Sequence, residues 1–126
     1  MSALSGPRLQ QAAREAAEAQ PGVSRSRPFV DKLDVFKVAG KVFLIVTDDP
    51  AEPVITVKCD PERGRALQLR YESVTPGRYL DKTHWTTAGP GPGVTRKLVR
   101  DLVTDSYDLV TEALPRRLRP DPRPGS

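Results

Sequence analysis

The residues that could do covalent or metal chemistry are few. The chain has one histidine and one cysteine, His84 and Cys59, and a predicted helix and a turn separate them. A structural zinc site needs four ligands of this kind, and a nucleophilic cysteine needs a neighbouring base. His84 is the only base that can be named for Cys59, and a lone strand cysteine is usually a small core residue. We therefore expect no catalytic residue, no metal site and no cofactor.

Basic residues are more numerous, and they are distributed unevenly. The formal net charge is +4, and residues 61–100 hold eight basic and three acidic side chains, whereas residues 101–114 hold four acidic ones and no basic one. Arginine outnumbers lysine by fourteen to six. Arginine is the better bidentate partner for phosphate and for guanine, although a GC-rich genome would produce the same bias. This layout favours an anionic partner such as DNA.

A cation, an imidazole and an indole fall within four residues in the segment KTHW. On a strand, alternation would place Lys82 and His84 on one face, and Thr83 and Trp85 on the other. Lys82 and His84, together with Arg78 nearby in the sequence, would suit a phosphate group. The alternative is that Trp85 fills the core, which we favour for that residue, and that His84 pairs locally.

The last predicted helix carries its charges in the order opposite to the one a helix favours. Arg96, Lys97 and Arg100 lie in its first turns, and the four charged residues that follow are all acidic. Anions favour a helix N-terminus and cations a C-terminus, and like charges four residues apart cost roughly 0.2–0.5 kcal/mol per pair. A local violation of this kind often marks a functional surface, and cations beside free helix amides suit an anion. The alternative is that tertiary neighbours neutralise both ends.

The elements that must position these residues follow from hydrophobic periodicity and from capping signals. Helices are predicted from Ser5 to the Pro21-Gly22 break, from Asp60 to about Glu72, and from Thr95 to Leu114. Strands are predicted over residues 34–38, 41–47, 53–59 and 83–88. The fold class is therefore α+β, with an antiparallel sheet flanked by N-terminal and C-terminal helices. The expected core consists of Phe36, Val42, Phe43, Ile45, Val57, Trp85, Leu102 and Val110.

The chain length suits one domain. Residues 1–114 are expected to form it, and residues 115–126 are a Pro/Arg-rich tail that we predict to be disordered. No run of about 18 apolar residues is present, so no membrane association is expected. The N-terminal segment is polar and lacks the pattern of a signal peptide, and the single cysteine cannot form an internal disulfide. We therefore expect a cytoplasmic protein.

Several stretches resemble sequence blocks of the MmcQ/YjbR family. They are PGV at 21–23, FKVAGKVF at 36–43, VKCDPE at 57–62, TPGRYLDKTHW at 75–85 and DSYDLV at 105–110. Their order and spacing cover residues 21–110. The resemblance implies a CyaY-like, or frataxin-like, fold and a DNA-binding label that the family carries on the strength of fold similarity. It does not imply iron binding, because the first helix has only Glu15 and Glu18 where frataxins have an acidic ridge.

These observations lead to one main functional hypothesis. We predict a nonspecific DNA-binding protein whose phosphate-facing surface consists of Arg78, Lys82, His84, Arg96, Lys97 and Arg100. The alternative is a non-catalytic protein–protein interaction module or adaptor with a frataxin-like fold, either monomeric or homodimeric. Salt separates the two hypotheses, because phosphate contacts weaken steeply with salt and a mainly apolar interface does not.

Overall fold

A computed structural model describes residues 4–26, 33–47, 49, 51–77 and 80–120. The helices are α1 (Gly6–Glu18), α2 (Pro61–Arg70) and α3 (Arg96–Glu112), and the strands are β1 (Val23–Ser26), β2 (Leu33–Val38), β3 (Lys41–Thr47), β4 (Val54–Lys58), β5 (Val74–Pro76) and β6 (Trp85–Ala88). The strands form one six-stranded antiparallel sheet in the order β1-β2-β3-β4-β6-β5. The predicted α+β class is confirmed.

The two edge strands were not predicted. No strand was predicted over residues 23–26 or 74–76, but β1 pairs with β2, and β5 pairs with β6. Their sequences, VSRS and VTP, are short and largely polar, so neither shows the apolar alternation of a half-buried strand. Pro76 is tolerated because an edge strand leaves one side of its backbone without a ladder partner.

Helices α1 and α3 pack together and begin at the same end of the molecule. The Leu4 amide donates to the Val94 carbonyl at 3.4 Å just before both helices, and the Tyr107 hydroxyl donates to the Pro21 carbonyl at 2.6 Å further along. The apolar stripe of α1 consists mainly of alanines, all buried, which lets the backbones approach closely. The stripe consists of Leu9, Ala12, Ala13, Ala16 and Ala17.

Each helix begins at a capping side chain. The hydroxyl of Ser5 accepts from the Arg8 amide, the carboxylate of Asp60 accepts from the Glu62 amide at 3.0 Å, and the hydroxyl of Thr95 accepts from the Leu98 amide at 3.2 Å. These bonds satisfy amides that have no intrahelical acceptor. The predicted starts of all three helices are therefore confirmed to within one residue.

Most of the predicted core is buried, with two exceptions. Phe36, Phe43, Ile45, Val57, Leu102 and Val110 are all less than a tenth exposed. The prediction was wrong for Val42 and Trp85, which are only half-buried. Both lie at strand ends that border a cleft, so one side of each side chain faces solvent.

Two buried polar side chains attach the helices to opposite ends of the β3–β4 pair. The Gln10 amide of α1 donates to the carbonyls of Thr47 and Val54, where β3 ends and β4 begins. At the other end, the Ser106 hydroxyl of α3 donates to the Phe43 carbonyl at 2.6 Å and accepts from the Lys58 amide at 2.9 Å. These bonds fix how α1 and α3 lie on the sheet.

The residues that follow α3 are described as far as Pro120, and they contact the end of that helix. Residues Arg116–Leu118 form one 3₁₀ turn within the segment predicted to be a disordered tail, and residues 121–126 lie outside the described part of the chain. The Arg119 guanidinium donates to the carbonyls of Leu114 and Glu112 at 3.0 and 2.9 Å. Within the described residues, none of the helices has the length and apolarity needed to cross a membrane.

Candidate nucleic-acid interface

Five of the six residues predicted to form one phosphate-facing surface are described by the structure, and they lie at two opposite ends of the molecule. We call the end where α1 and α3 begin the helix-start end, and the end where β3 begins and β4 finishes the hairpin end. Val110 lines a cleft with Trp85 at the hairpin end, and 14 residues separate it from Arg96. Since a helix rises 1.5 Å per residue, the two ends are about 21 Å apart.

At the helix-start end, the structure brings together Arg96, Lys97 and Arg100. The Arg96 guanidinium lies 3.9 Å from the Glu15 carboxylate, and the Lys97 ammonium lies 2.9 Å from Asp101. Both pairs are exposed, and exposed pairs contribute only about 0–1 kcal/mol. Arg100 is exposed and has no ion-pair partner among the residues described. All three cations are therefore accessible to an anionic ligand.

Arg8 lies in the first turn of α1, at the end where α3 also begins, although the sequence did not single it out. It precedes Glu15 by seven residues, or about two helical turns, so both side chains lie on one stripe of α1. Glu15 is the residue that approaches Arg96, which shows that this stripe faces the first turns of α3. Arg8 is exposed, and within the described chain its side chain has no ion-pair partner. Only the packing of α1 against α3 reveals its position.

At the hairpin end, the predicted alternation of Lys82 and His84 is wrong. Residues 82–84 form a turn, and β6 begins only at Trp85. The Asp81 carboxylate nucleates this turn, because it accepts from the Thr83 amide at 2.9 Å and lies 2.6 Å from Nδ1 of His84. These two hydrogen bonds, with the His84 bond the larger cause, lower the pKa of Asp81.

That anionic Asp81 changes the chemistry of the segment. Its carboxylate pairs with the His84 imidazole, as the alternative of local pairing proposed. It also places a negative charge next to Lys82 in the sequence. The segment is therefore a self-paired turn, which leaves little capacity for a phosphate. Arg78, the remaining predicted member, lies outside the described residues.

The reversed charge order of α3 has a tertiary explanation at its acidic half. The Arg63 guanidinium of α2 donates to the Asp105 carboxylate and so joins α2 to α3. At the C-terminus, Arg119 supplies a cation to the last carbonyls of the helix, which are the groups that a cation normally complements. Tertiary neighbours therefore offset the charge of Asp105 and complement the helix C-terminus, which agrees in part with the alternative.

Cys59 lies in a cleft of about 370 Å³ between α2 and α3. Its side chain is 5% exposed, and burial raises the pKa of its thiol despite the nearby Arg63, which lowers it. A raised pKa keeps the sulfur in the unreactive thiol form at neutral pH. No histidine lines the cleft, and the described residues contain no group of three or more His, Cys, Asp or Glu side chains placed to hold a metal ion.

These features define a small α+β domain with a six-stranded antiparallel sheet, two helices that begin together, and a cationic surface where they begin. The YjbR family model matches residues 18–109, so the chain belongs to the YjbR family. The similarity to the CyaY fold that this family resemblance implied stays a prediction.

The relatives cover nearly the whole chain. The uncharacterized protein YbdF of Escherichia coli O157:H7 is 36% identical over 117 residues, which cover 93% of this chain and 96% of YbdF. The uncharacterized protein YjbR of Escherichia coli K12 is 29% identical over 101 residues, covering 80% of this chain and 86% of YjbR.

Solved structures show the same architecture. The Deinococcus radiodurans protein DR2400, a DUF419 domain, superposes with a TM-score of 0.78 at 29% identity and covers 89% of each chain. A Pseudomonas syringae protein superposes with a TM-score of 0.67 at 24% identity, covering 79% of this chain and 96% of its own, and shows the fold alone.

Proposed function

We propose that this protein binds DNA without sequence specificity, through phosphate contacts at the helix-start end. The observation that carries the proposal is the exposure of Arg8, Arg96, Lys97 and Arg100 at the end where α1 and α3 both begin. Lys82 and His84 are not part of this interface, because they lie at the hairpin end beside Asp81.

The backbone at this end adds to the positive side-chain charge. The first amides of a helix have no intrahelical acceptor, and a helix N-terminus carries about half a positive charge. The Thr95 hydroxyl accepts from the Leu98 amide, so the amides at the very start of α3 are left for other acceptors. The start of α3 beside exposed cations favours an anion with several oxygens, which describes a phosphate group.

Contacts of this kind position a nucleic acid and do not read its sequence. Three to four phosphate contacts predict a slope of roughly −3 in a plot of log K against log salt. Raising the salt fourfold should therefore weaken binding by roughly 40- to 150-fold. The proposal includes a cytoplasmic location, which the free Cys59 favours.

The test is the anisotropy of a labelled DNA duplex titrated with protein over a series of salt concentrations. The test variant carries Arg96→Ala and Arg100→Ala on α3, and the matched control carries Arg65→Ala and Arg70→Ala, two exposed arginines of α2. Both variants lose the same charge. We expect the test variant to bind more weakly and its salt slope to fall by about 1.8, since each contact contributes about 0.9.

Two results would refute the proposal. Wild-type protein that fails to bind the duplex at low salt would exclude it and leave a protein-interaction module as the better hypothesis. An equal loss of affinity in the control variant would show that total charge, and not the helix-start end, determines binding.

A further inference from the structure

A second cleft opens at the hairpin end, away from the proposed phosphate surface. Its volume is about 380 Å³, and we call it the Trp85 cleft. It is lined by Lys41, Val42, Lys58, Trp85, Val110, Ala113 and Leu114. We propose that the Trp85 cleft binds a nucleotide, with the base against the Trp85 indole and the phosphate between Lys41 and Lys58.

The cleft exists because β3 and β4 separate at this end. Their ladder ends at the pair Leu44–Val57, and on the other side of β3 the register with β2 skips Phe43. Beyond that point the Ser106 hydroxyl bridges the Phe43 carbonyl and the Lys58 amide, replacing the backbone pairing that the strands no longer make. The opening is therefore a fixed feature of the fold.

The indole at one wall suits a planar ligand. Trp85 is the only tryptophan of the chain, and it is half-buried although a residue of its size is usually well packed. Across β4 it pairs in register with Lys58, so the indole and that ammonium belong to neighbouring positions of the sheet. Val110 of α3 and Leu114, which follows that helix, complete an apolar floor. Stacking of a base on such an aromatic wall tolerates every base.

The charge of the lining selects an anion. Among the residues that the structure describes, Lys41 and Lys58 are the only charged ones that line the Trp85 cleft, and neither has an ion-pair partner there. Lys58 also lines the neighbouring Cys59 cleft, which holds the carboxylates of Asp60, Asp105, Asp108 and Glu112, whereas none of these four lines the Trp85 cleft. An anionic ligand with one planar apolar part fits both the indole wall and the two lysines. The volume of the cleft falls within the range of ligand pockets.

This inference goes beyond the proposed function and uses different residues. The Trp85 cleft is about 20 Å from Arg96 along α3, so either site can fail while the other holds. Duplex binding reports on the helix-start end, whereas a stacked base reports on the Trp85 cleft. The ligand is either a free mononucleotide or one unpaired nucleotide of a single strand, and the experiment separates the two.

Trp85 itself supplies the assay, because a single tryptophan makes its emission specific to the cleft. Full-length protein is titrated with thymidine monophosphate and with a short single strand of thymidines, and the indole is excited at the red edge of its absorption. Thymidine and inorganic phosphate are the control ligands. We expect saturable quenching by the monophosphate, by the single strand or by both, and at least about tenfold weaker binding of either control.

Variants assign the residues. Lys41→Gln with Lys58→Gln should weaken binding at least about tenfold, whereas Arg65→Gln on α2 should leave it unchanged. The Trp85 variants lack the fluorescent indole, so their affinity is measured from the anisotropy of a labelled strand of thymidines. The affinity of Trp85→Leu should fall about tenfold or more, whereas Trp85→Phe keeps an aromatic ring and should retain most of the affinity.

Quenching by the single strand alone would assign the cleft to nucleic acid, and quenching by the monophosphate would assign it to free nucleotides as well. Unchanged Trp85 emission with both ligands would overturn the proposal. Quenching that the lysine substitutions do not weaken would overturn it as well, because the phosphate would then not lie between Lys41 and Lys58.

Discussion

Replacing Ser106 with alanine should destabilise the fold far more than its small size suggests. The side chain is fully buried, and its hydroxyl joins the carbonyl of Phe43 to the amide of Lys58. Removing it leaves the buried Phe43 carbonyl without this partner, which destabilises the fold by about 1–3 kcal/mol. The Lys58 amide also loses its acceptor, but it is only partly buried and costs less because water can reach it. Alanine is the better helix former and returns up to about 0.5 kcal/mol. We expect Ser106→Ala to lower the free energy of unfolding by about 1–3 kcal/mol.

Urea unfolding followed by far-UV circular dichroism measures this change. A native-like slope with a lower midpoint is expected, because the surface exposed on unfolding stays the same. Thr111→Ala in the same helix is the matched control. The Thr111 hydroxyl returns to the carbonyls of Tyr107 and Asp108 within α3, so its loss should change the stability by less than about 0.5 kcal/mol. A Ser106→Ala effect equally small would refute the assigned bridge between helix and sheet.

Two further predictions concern titratable groups. The Cys59 thiol should react with iodoacetamide at least about tenfold more slowly in the native protein than in urea, and equal rates would contradict its burial. Because burial raises the pKa of Cys59, the unfolded chain loses that proton first, and the stability contribution of this group should decline as pH rises above the ordinary value of 9.0. The pKa of Asp81 is lowered mainly by its hydrogen bond to His84, so His84→Ala should raise it toward the ordinary value of 3.8 in a carboxyl NMR titration. The stabilisation from Asp81 is present above pH 3.8 and is lost as the carboxylate is protonated below it, and an unchanged pKa in the variant would contradict the bond.

The long elements could be predicted because their signals are local. The alanine stripe of α1, the apolar run of β3 and the capping residues Asp60 and Thr95 each define an element without reference to the rest of the chain. Strands β1 and β5 have no such signal. Their few residues become strands because a neighbouring strand offers free backbone groups, which is a property of the assembled sheet.

The same distinction between local signals and contacts in the assembled fold applies to the candidate site. The cations of α3 could be found from spacing on one helix, and they do lie together. The link to Lys82 and His84 required a distance between separate elements, which spacing does not contain, and the carboxylate of Asp81 was overlooked because strand alternation was assumed across a turn. Trp85 was placed in the core from the same strand alternation, although its position beside the gap between β3 and β4 leaves it half-buried.

The charge order of α3 acquires a different meaning once its neighbours are known. Its acidic half is compensated by close partners, since Arg63 holds Asp105 and Arg119 binds the last carbonyls. Its basic half is compensated less by other elements, since Lys97 pairs at 2.9 Å only with Asp101 of the same helix, Glu15 approaches Arg96 only to 3.9 Å, and Arg100 has no ion-pair partner among the described residues. A purely structural role would require similar compensation at both ends. The inequality between them, rather than the reversed order itself, is therefore the feature that favours an external anion at the helix-start end.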